Sequence, residues 1–257
     1  MELGLKGKIA VITGGSEGIG LATALRLARE GAAVALCARR KEPLDQAAAR
    51  VREAGAQVLA VPADMSKKAD IDRFIKAVID RFGRIDILVN NAGTSARGKF
   101  LEIEDDAWSA DLELKVFGAI RCTRLAVPYM KKQGGGRIIN ITISSAKQPG
   151  AESYPTSVSR AAGLALTKAL SKEYAADNIL VNTVCIGKIK SGQHERRYTR
   201  QGIGAEEYYR QTSKDIPLGR VGEADEVANV IAFLASNAAS YVTGTSVNLD
   251  GGISGTL

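Results

Sequence analysis

Residues 9–20 read Ile-Ala-Val-Ile-Thr-Gly-Gly-Ser-Glu-Gly-Ile-Gly, an apolar run that leads directly into a cluster of glycines. The amphipathic spacing of residues 21–28 then predicts a helix, so the stretch is predicted to form a strand, a tight turn and a helix. Gly14, Gly18 and Gly20 would allow a positive φ, a close approach of the backbone to a ligand, and close helix–strand packing. The free amides and the dipole at the helix start favour an anion, and a dinucleotide pyrophosphate is the natural one.

The glycine spacing is Gly-x-x-x-Gly-x-Gly, which differs from the commoner Gly-x-Gly-x-x-Gly fingerprint. A glycine-rich turn without a ligand is therefore the alternative. If a pyrophosphate binds, the turn supplies its contacts. The predicted contact residues are Gly14, Ser16, Glu17, Gly18, Ile19 and Gly20.

The composition is that of an ordinary globular protein, with 257 residues of which 45% are hydrophobic and 25% are charged. We expect one domain over residues 1–257. No run of 18 apolar residues occurs, and the first strand starts too early for a signal peptide, so the expected location is the cytoplasm. Cys37, Cys122 and Cys185 lie in apolar runs without metal-type spacing, which predicts buried free thiols and no metal site.

The net charge is +7, yet no run of five basic residues occurs. We interpret the excess as a basic surface with a pocket for an anionic small molecule. Neither a nucleic acid nor a membrane is expected as a partner.

Hydrophobic periodicity predicts strands that alternate with helices along the chain. The predicted strands are residues 9–13, 33–38, 58–62, 85–90, 137–143, 179–185 and 245–249, and the predicted helices are 19–30, 43–54, 67–82, 104–132, 158–176 and 224–235. The strands are short continuous apolar runs, which is typical of a parallel sheet covered on both faces. We therefore predict a doubly wound Rossmann-type α/β fold with a seven-stranded parallel sheet and ligands at the carboxyl ends of its strands. Residues 187–218 break the alternation and predict a substrate lid.

The residues after the second and third strands indicate which cofactor is bound. Arg39 and Arg40 suit the 2′-phosphate of NADP(H), which we therefore prefer over NAD(H), although the Glu17 carboxylate would repel that phosphate. A solvated loop is the alternative reading of the two arginines. Asp64 is predicted to accept a hydrogen bond from the adenine, with Met65 against the ring; an N-cap is the alternative for Asp64. The small residues at the end of the fourth strand, Asn91, Ala92 and Gly93, would let the sheet edge approach the dinucleotide.

With these motifs the chain closely resembles the short-chain dehydrogenase/reductase family over nearly its whole length. The resemblance rests on Thr13-Gly14-x-x-x-Gly18-x-Gly20, Asp64, 90–93, 136–140, Val181-Asn182, 217–220, Thr243-Gly244 and 250–252. It implies a Rossmann-type subunit with a nicotinamide cofactor, assembled as a homotetramer or homodimer.

That family reacts through an Asn-Ser-Tyr-Lys tetrad, in which Tyr is the general acid or base and Lys lowers the Tyr pKa. This sequence departs from the tetrad at all four positions. Matching the family's motifs puts Lys115 at the Asn position and Ile143, followed by Ser144, at the Ser position. Thr156 stands at the Tyr position and Arg160 at the Lys position, where a guanidinium would still bond the nicotinamide ribose but would not relay a proton.

Three alternatives follow from these departures. In the first, catalysis is rebuilt: Tyr154 swings in from the loop, Ser144 replaces the displaced serine, and Lys115 or Arg160 supplies the cation. In the second, Thr156 or water carries the proton, which is disfavoured because a threonine hydroxyl is a poorer proton donor than a phenol. In the third, the protein binds a dinucleotide without redox chemistry, as a sensor or assembly subunit. We favour the first, with a Lys115–Tyr154 pair, in an NADP(H)-dependent oxidoreductase that transfers hydride between nicotinamide and a carbonyl or alcohol.

The lid adds three expected cofactor contacts, Gly187, Ile189 and Ser191, at positions that the resemblance implies. It also carries the cations Lys188, Lys190, Arg196, Arg197 and Arg200. We interpret them as a site for an anionic substrate, with a solvated charged loop as the alternative. His194 is the only histidine of the chain and is interpreted as a surface residue of the lid rather than an acid–base group.

Overall fold

Seven parallel strands form the main sheet of the computed structural model, which describes residues 2–256. In chain order the strands are β1 (Ile9–Thr13), β2 (Ala33–Ala38), β3 (Val58–Pro62), β4 (Ile87–Asn90), β5 (Arg97–Gly98), β6 (Gly136–Ile143), β7 (Tyr154–Pro155), β8 (Ile179–Ile186) and β9 (Ser246–Leu249). The main sheet has the order β3-β2-β1-β4-β6-β8-β9, and β5 pairs with β7 in a separate antiparallel ribbon. The predicted seven-stranded parallel sheet is confirmed.

Helices cover both faces of the sheet because its strands are apolar on both sides. They are α1 (Gly18–Arg29), α2 (Lys41–Glu53), α3 (Lys68–Phe82), α4 (Asp105–Leu112), α5 (Gly118–Lys132), α6 (Thr156–Glu173), α7 (Gly192–Gln201), α8 (Ala205–Ser213) and α9 (Ala224–Ala235). One core cluster joins the sheet to α1, α2 and α9, and the other joins it to α3 and α5. The predicted doubly wound architecture is confirmed, with most element bounds within two residues of the prediction.

The chain reverses its direction across the sheet between β1 and β4. It runs outward from β1 to β3 and then returns to the other side of β1. The connections that follow β1 and β4 therefore diverge and leave a crevice at the carboxyl ends of the strands. This topology alone positions a ligand site above the glycine turn.

Two of the predictions need correction. The predicted helix over 104–132 is divided into α4 and α5 by a π-helical segment, Glu113–Phe117. The lid also contains two helices, α7 and α8, where the sequence predicted none. They pack through His194, Tyr198, Tyr208 and Tyr209 rather than through aliphatic side chains, which is why a search for apolar periodicity missed them.

The three cysteines are buried and free, as predicted. No helix within residues 2–256 is long and apolar enough to cross a membrane.

Candidate active site

A cleft of about 780 Å³ opens at the carboxyl ends of the strands, over the point where the strand order reverses. It is lined by all of the predicted cofactor-contact residues except Gly20, namely Gly14, Ser16, Glu17, Gly18, Ile19, Arg39, Arg40, Asp64, Met65, Asn91, Ala92, Gly93, Arg160, Gly187, Ile189 and Ser191. Residues that lie far apart in the sequence thus surround one cavity of a size suited to a dinucleotide.

The conformation of the glycine turn would let a ligand approach its backbone closely. Gly14 has a φ of +67° and Gly18 a φ of +56°, a region that favours glycine. Gly20 instead serves packing, because a Cβ on it would lie 2.2 Å from the carbonyl oxygen of Gly14. Within residues 2–256 no side chain caps the start of α1, so its first amides remain available to an anion. The turn therefore fits a dinucleotide pyrophosphate.

Asn91 and Thr13 hold the turn in place. The Asn91 Nδ2 donates to the carbonyl oxygens of Thr13 and Gly14, at 2.9 and 3.1 Å. The backbone N–H groups of Asn91 and Ala92 both donate to Thr13 Oγ1, at 3.0 Å. These bonds join the end of β4 to the end of β1, so the floor of the cleft is already ordered.

The Glu17 carboxylate is held between two guanidiniums. Arg40 donates to it at 3.2 Å from the end of β2, and Arg196 donates at 3.1 Å from lid helix α7. Together with Arg39 this corner of the cleft carries three cations against one carboxylate. The repulsion that the sequence suggested for Glu17 is thus offset by its neighbours.

Asp64 and Met65 lie where β3 ends. Asp64 Oδ1 accepts from the N–H and the hydroxyl of Ser66, at 3.0 and 2.8 Å, while α3 begins only at Lys68. The predicted alternative, in which Asp64 is the N-cap, is therefore wrong, since Lys67 occupies that position. Met65 lines the cleft but is otherwise packed in the core.

Lys115 lies inside the π-helical segment and is almost fully buried. Its ammonium forms an ion pair with Asp111, and the two side chains are 1% and 2% exposed. The same Nζ donates to Thr156 Oγ1 at 2.8 Å, and Ser159 Oγ donates to the other oxygen of Asp111 at 2.5 Å. A π-helical turn often marks a functional site, and here Lys115 is the buried residue of that turn.

Asp111 and Ser159 were missed by the sequence reasoning. Asp111 stands four residues before Lys115, the spacing at which helical side chains meet, and that was the available signal. The sequence contained no comparable signal for Ser159, because its contact with Asp111 joins α6 to α4 across the fold.

The two buried cations of the site, Lys115 and Arg160, differ in their pKa. Burial, followed by the nearby Arg160 guanidinium, lowers the pKa of Lys115 to about 8, although Asp111 acts in the opposite direction. Burial lowers the pKa of Arg160 to about 10, so this guanidinium stays protonated at neutral pH. Arg160 donates to the carbonyl oxygen of Ile141 at 2.5 Å and packs over Gly93, where a Cβ would lie 2.4 Å from Nη2. Of the two, Lys115 is the group suited to exchange a proton near neutrality.

The structure does not pair Lys115 with Tyr154. The Tyr154 ring packs against Phe100 and Trp108, with centroids 5.7 and 6.0 Å away, and it does not line the cleft. Thr156 lines the cleft instead, as does Ser144. The backbone of Tyr154 is fixed by its pairing with Gly98 in the ribbon formed by β5 and β7. The predicted Lys115–Tyr154 pair is therefore replaced by a Lys115–Thr156 pair.

The lid lies over the cleft and touches its floor. Gln193 Nε2 donates to the carbonyl oxygen of Gly93 at 3.4 Å. His194, predicted at the surface, is buried: its Nδ1 lies 2.9 Å from the Tyr208 hydroxyl. Burial, Arg197 and Lys188 lower the pKa of His194 to about 4, so it is neutral at pH 7 and no acid catalyst there. Residues 2–256 contain no cluster of three His, Cys, Asp or Glu side chains that could hold a metal ion.

The parallel sheet, the uncapped glycine turn and the cleft at the reversal of strand order define a doubly wound α/β protein with a site for a dinucleotide. A family model described as enoyl-(acyl carrier protein) reductase matches residues 14–254. The chain belongs to the short-chain dehydrogenase/reductase family, whose members are NAD(P)-dependent oxidoreductases.

Three proteins illustrate the similarity. The 3-oxoacyl-(acyl-carrier-protein) reductase of Thermotoga maritima is 36% identical over 252 residues, which cover 97% of this chain and 98% of that protein. The structure of L-sorbose reductase from Gluconobacter frateurii, complexed with NADPH and L-sorbose, has a TM-score of 0.95 at 36% identity and 100% coverage of both chains. An NADPH-bound short-chain oxidoreductase from Pseudomonas aeruginosa, described as containing an atypical catalytic center, has a TM-score of 0.91 at 36% identity, covering 97% and 98%.

Proposed function

We propose that this protein is an NADP(H)-dependent carbonyl reductase or alcohol dehydrogenase with an altered catalytic constellation. The observation that carries the proposal is the buried Lys115–Thr156 pair, whose threonine lines the cleft where the glycine turn would hold a dinucleotide. The relatives named above include a 3-oxoacyl reductase and an NADPH-complexed sugar reductase, which supports carbonyl reduction. The bound nicotinamide would supply the hydride.

The roles of the chain's own residues follow from their positions. The uncapped amides at the start of α1 would hold the pyrophosphate, and Arg160 would bond the ribose hydroxyls. Ser144 lies in the cleft with a hydroxyl that would polarise the substrate carbonyl. Lys115 supplies the cation that the family's lysine would otherwise provide. Tyr154, packed away from the cleft, contributes no proton in this proposal.

We propose NADP(H) as the preferred cofactor because of the corner formed by Arg39, Arg40 and Arg196. A 2′-phosphate in this corner would contact guanidiniums that can bind it in a bidentate manner. The NADPH found in two of the related structures supports this choice.

The first test is calorimetric titration of the protein with NADPH and NADH. We expect NADPH to bind more tightly. In Glu17→Gln, removal of one negative charge beside the 2′-phosphate should tighten NADPH binding by about fivefold, or ~1 kcal/mol, and leave NADH binding nearly unchanged. NADPH consumption with a panel of ketones, 2-oxo acids, 3-oxoacyl thioesters and ketoses then tests for catalysis. Binding without consumption on any of them would favour a sensor or assembly subunit, and no binding of either nucleotide would refute the proposal.

We further propose that the substrate carries an anionic group. Arg97, Lys188 and Arg197 line the cleft, and the described residues include no carboxylate within ion-pair distance of any of them. The two carboxylates that line the cleft, Glu17 and Asp64, both lie at its nucleotide end. Arg97 adjoins Ala96, whose N–H donates to Thr156, so one of these cations is close to the proposed reaction centre.

A carboxylate-bearing carbonyl compound should accordingly be reduced with a kcat/KM at least tenfold above that of its methyl ester, because a charge-assisted hydrogen bond contributes about 1.5–3 kcal/mol. Arg97→Gln should remove most of this preference. Arg200→Gln is the matched control, since Arg200 is a lid cation that does not line the cleft. Equal rates for acid and ester would contradict the anionic substrate.

Finally, we propose a homotetramer or homodimer in the cytoplasm. Phe117, Tyr129 and Val158 are large apolar side chains exposed along α5, α6 and the π-helical segment, and they would be covered in an oligomer. The free thiols suit a reducing compartment.

A further inference from the structure

The Thr156 hydroxyl oxygen already accepts two hydrogen bonds. Lys115 Nζ donates to it at 2.8 Å, and the backbone N–H of Ala96 donates to it at 3.0 Å. A hydroxyl oxygen has two lone pairs, so both of its acceptor positions are used. Its own hydrogen remains, and Thr156 lines the cleft. A group bound in the cleft beside Thr156 would therefore be the acceptor for this hydrogen.

Lys115 reaches the cleft through this hydroxyl. The Lys115 side chain is 1% exposed and, among the described residues, is not one of those that line the cleft. Thr156, by contrast, contacts both the lysine and the cavity. A proton that leaves Lys115 for a bound substrate thus has a direct route of two hydrogen bonds, with Thr156 Oγ1 between them.

Asp111 fixes the ammonium at the start of this route. One carboxylate oxygen pairs with Lys115 Nζ, and the other accepts from Ser159 Oγ at 2.5 Å. The same Ser159 Oγ lies 3.1 Å from the carbonyl oxygen of Thr156, so its single hydrogen is directed to Asp111 while the oxygen stays close to the first turn of α6. The carboxylate is thereby tied to the same helical turn of α6 that carries the hydroxyl. Asp111, Lys115 and Thr156 form one chain of buried contacts from α4 to the cleft.

We propose that the Thr156 hydroxyl is the group that donates the proton to the substrate oxygen, that Lys115 resupplies it, and that Asp111 is a positioning residue for Lys115. This inference rests on the proposed reductase function. A threonine hydroxyl is a poor acid on its own, but a hydroxyl that receives one proton while it gives another never becomes an alkoxide.

Carbonyl reduction by this relay involves one hydride transfer and two proton transfers. The carbonyl carbon gains the hydride from the reduced nicotinamide, and the electron pair of the C=O π bond moves to the oxygen. That oxygen takes the Thr156 hydroxyl proton, an Nζ–H bond of Lys115 breaks, and its proton goes to Thr156 Oγ1. The substrate is reduced to the alcohol, the dinucleotide is oxidised, and neutral Lys115 regains a proton from water after product release.

The charged groups that face Lys115 are Asp111 from α4 and Arg160 from α6. Arg160 remains a cation at neutral pH, so the titration to be observed is that of Lys115 itself. In the direction of reduction Lys115 must be protonated, and the rate should therefore fall as the pH rises above about 8. In the direction of alcohol oxidation Lys115 must accept a proton, and the rate should rise over the same range.

The first experiment compares three threonine variants with the wild-type enzyme, using NADPH and the carbonyl compound of the panel that turns over fastest. Thr156→Val, which keeps the shape but removes the hydroxyl, should lower kcat at least about 100-fold. Thr156→Ser should restore kcat to within about tenfold of the wild type. Thr23→Val is the control, because it changes another buried threonine, on α1 and away from the cleft. The NADPH dissociation constant should change less than threefold in all three.

The second experiment follows Lys115 directly and does not depend on turnover. In protein labelled with ¹⁵N-lysine, with Lys115→Arg used to assign the resonance, Lys115 should titrate near pH 8. In Asp111→Asn its pKa should fall by one to two units, because the carboxylate that favours the ammonium is gone. The pH at which reduction declines should move with it. A carboxylate with only a structural role would leave that decline where it was.

Two results would overturn the relay while leaving the reductase function intact: full turnover by Thr156→Val, or an unchanged Lys115 pKa in Asp111→Asn. Loss of activity in Tyr154→Phe together with full activity in Thr156→Val would restore the tyrosine as the donor. Failure of the wild-type protein to consume NADPH would instead refute the proposed function. If Thr156→Val does not fold, the threonine variants no longer decide the question. The relay is then tested by Asp111→Asn, in which the Lys115 pKa and the pH at which reduction declines should shift together.

Discussion

Replacing Lys115 by methionine is expected to lower kcat for carbonyl reduction by about 10²–10⁴-fold, the range typical of a lost general acid. Methionine is similar in length but cannot donate a proton, so the Thr156 hydroxyl would lose its supply. The NADPH dissociation constant should stay within a few-fold of the wild-type value, because Lys115 does not line the cleft. Steady-state kinetics and calorimetry on the same preparation check both expectations.

The same substitution should also destabilise the fold. It leaves the Asp111 carboxylate, 2% exposed, without its cation, and breaking a buried pair in this way costs about 3–5 kcal/mol. The double variant Asp111→Asn/Lys115→Met removes both charges and should recover most of that stability in denaturant unfolding. It should not recover turnover.

Recovery of stability without recovery of turnover would distinguish a catalytic role of Lys115 from a structural one. Lys172→Met provides the control, since Lys172 is exposed on α6 and should affect neither quantity. If the double variant regained activity along with stability, Lys115 would be a structural residue and the proposed constellation would be wrong.

The second large effect is expected from Gly20→Ala. A Cβ at this position would lie 2.2 Å from the carbonyl oxygen of Gly14 and 2.7 Å from Asn91 Nδ2. The Gly14 carbonyl is backbone, and the Asn91 amide is held by its hydrogen bonds to Thr13 and Gly14, so neither group can yield as a free side chain does. The glycine turn and the start of α1 must therefore move apart, which displaces the amides that would hold the pyrophosphate.

We expect the NADPH dissociation constant of Gly20→Ala to rise about 100-fold, which corresponds to ~2.7 kcal/mol, and the free energy of unfolding to fall by about 1–3 kcal/mol. Calorimetric titration and thermal unfolding measure the two changes. Gly204→Ala is the matched control: its φ is −71° and a Cβ there would meet nothing within 4 Å. Normal NADPH binding by Gly20→Ala would show that the nucleotide does not approach this turn.

Much of the lining of the cleft, including the proposed cofactor contacts, could be predicted from the sequence. Short-range patterns carry that information: the glycine turn follows β1 directly, Arg39 and Arg40 follow β2, and Asp64 follows β3. In a parallel sheet the carboxyl ends of all strands meet at one edge, so residues placed by local patterns converge without further knowledge. Gly20 is the predicted contact residue that does not line the cleft, because it packs directly against the carbonyl group of Gly14.

The proposed reaction centre could be predicted only in part. Lys115 and Thr156 were both recognised as candidates, yet the sequence paired the lysine with Tyr154. Two features of the structure differ from that pairing: Tyr154, in the β5–β7 ribbon, packs its ring against Phe100 and Trp108, and Lys115 is buried in the π-helical segment. Neither has a periodic sequence signal, because each depends on contacts between segments about 40 to 60 residues apart.

The sequence by itself determined the fold class, the strand–helix order, the glycine turn and the cationic corner of the cleft, since each arises from neighbouring residues and from the geometry of parallel strands. Only the tertiary structure decided that the Lys115–Asp111 pair is buried against Thr156, that His194 is buried and neutral, and that the lid is helical. The physical reason is burial: the pKa values of Lys115 and His194 depend on their removal from water, and Thr156 is brought to Lys115 across 41 residues of sequence only when the chain folds.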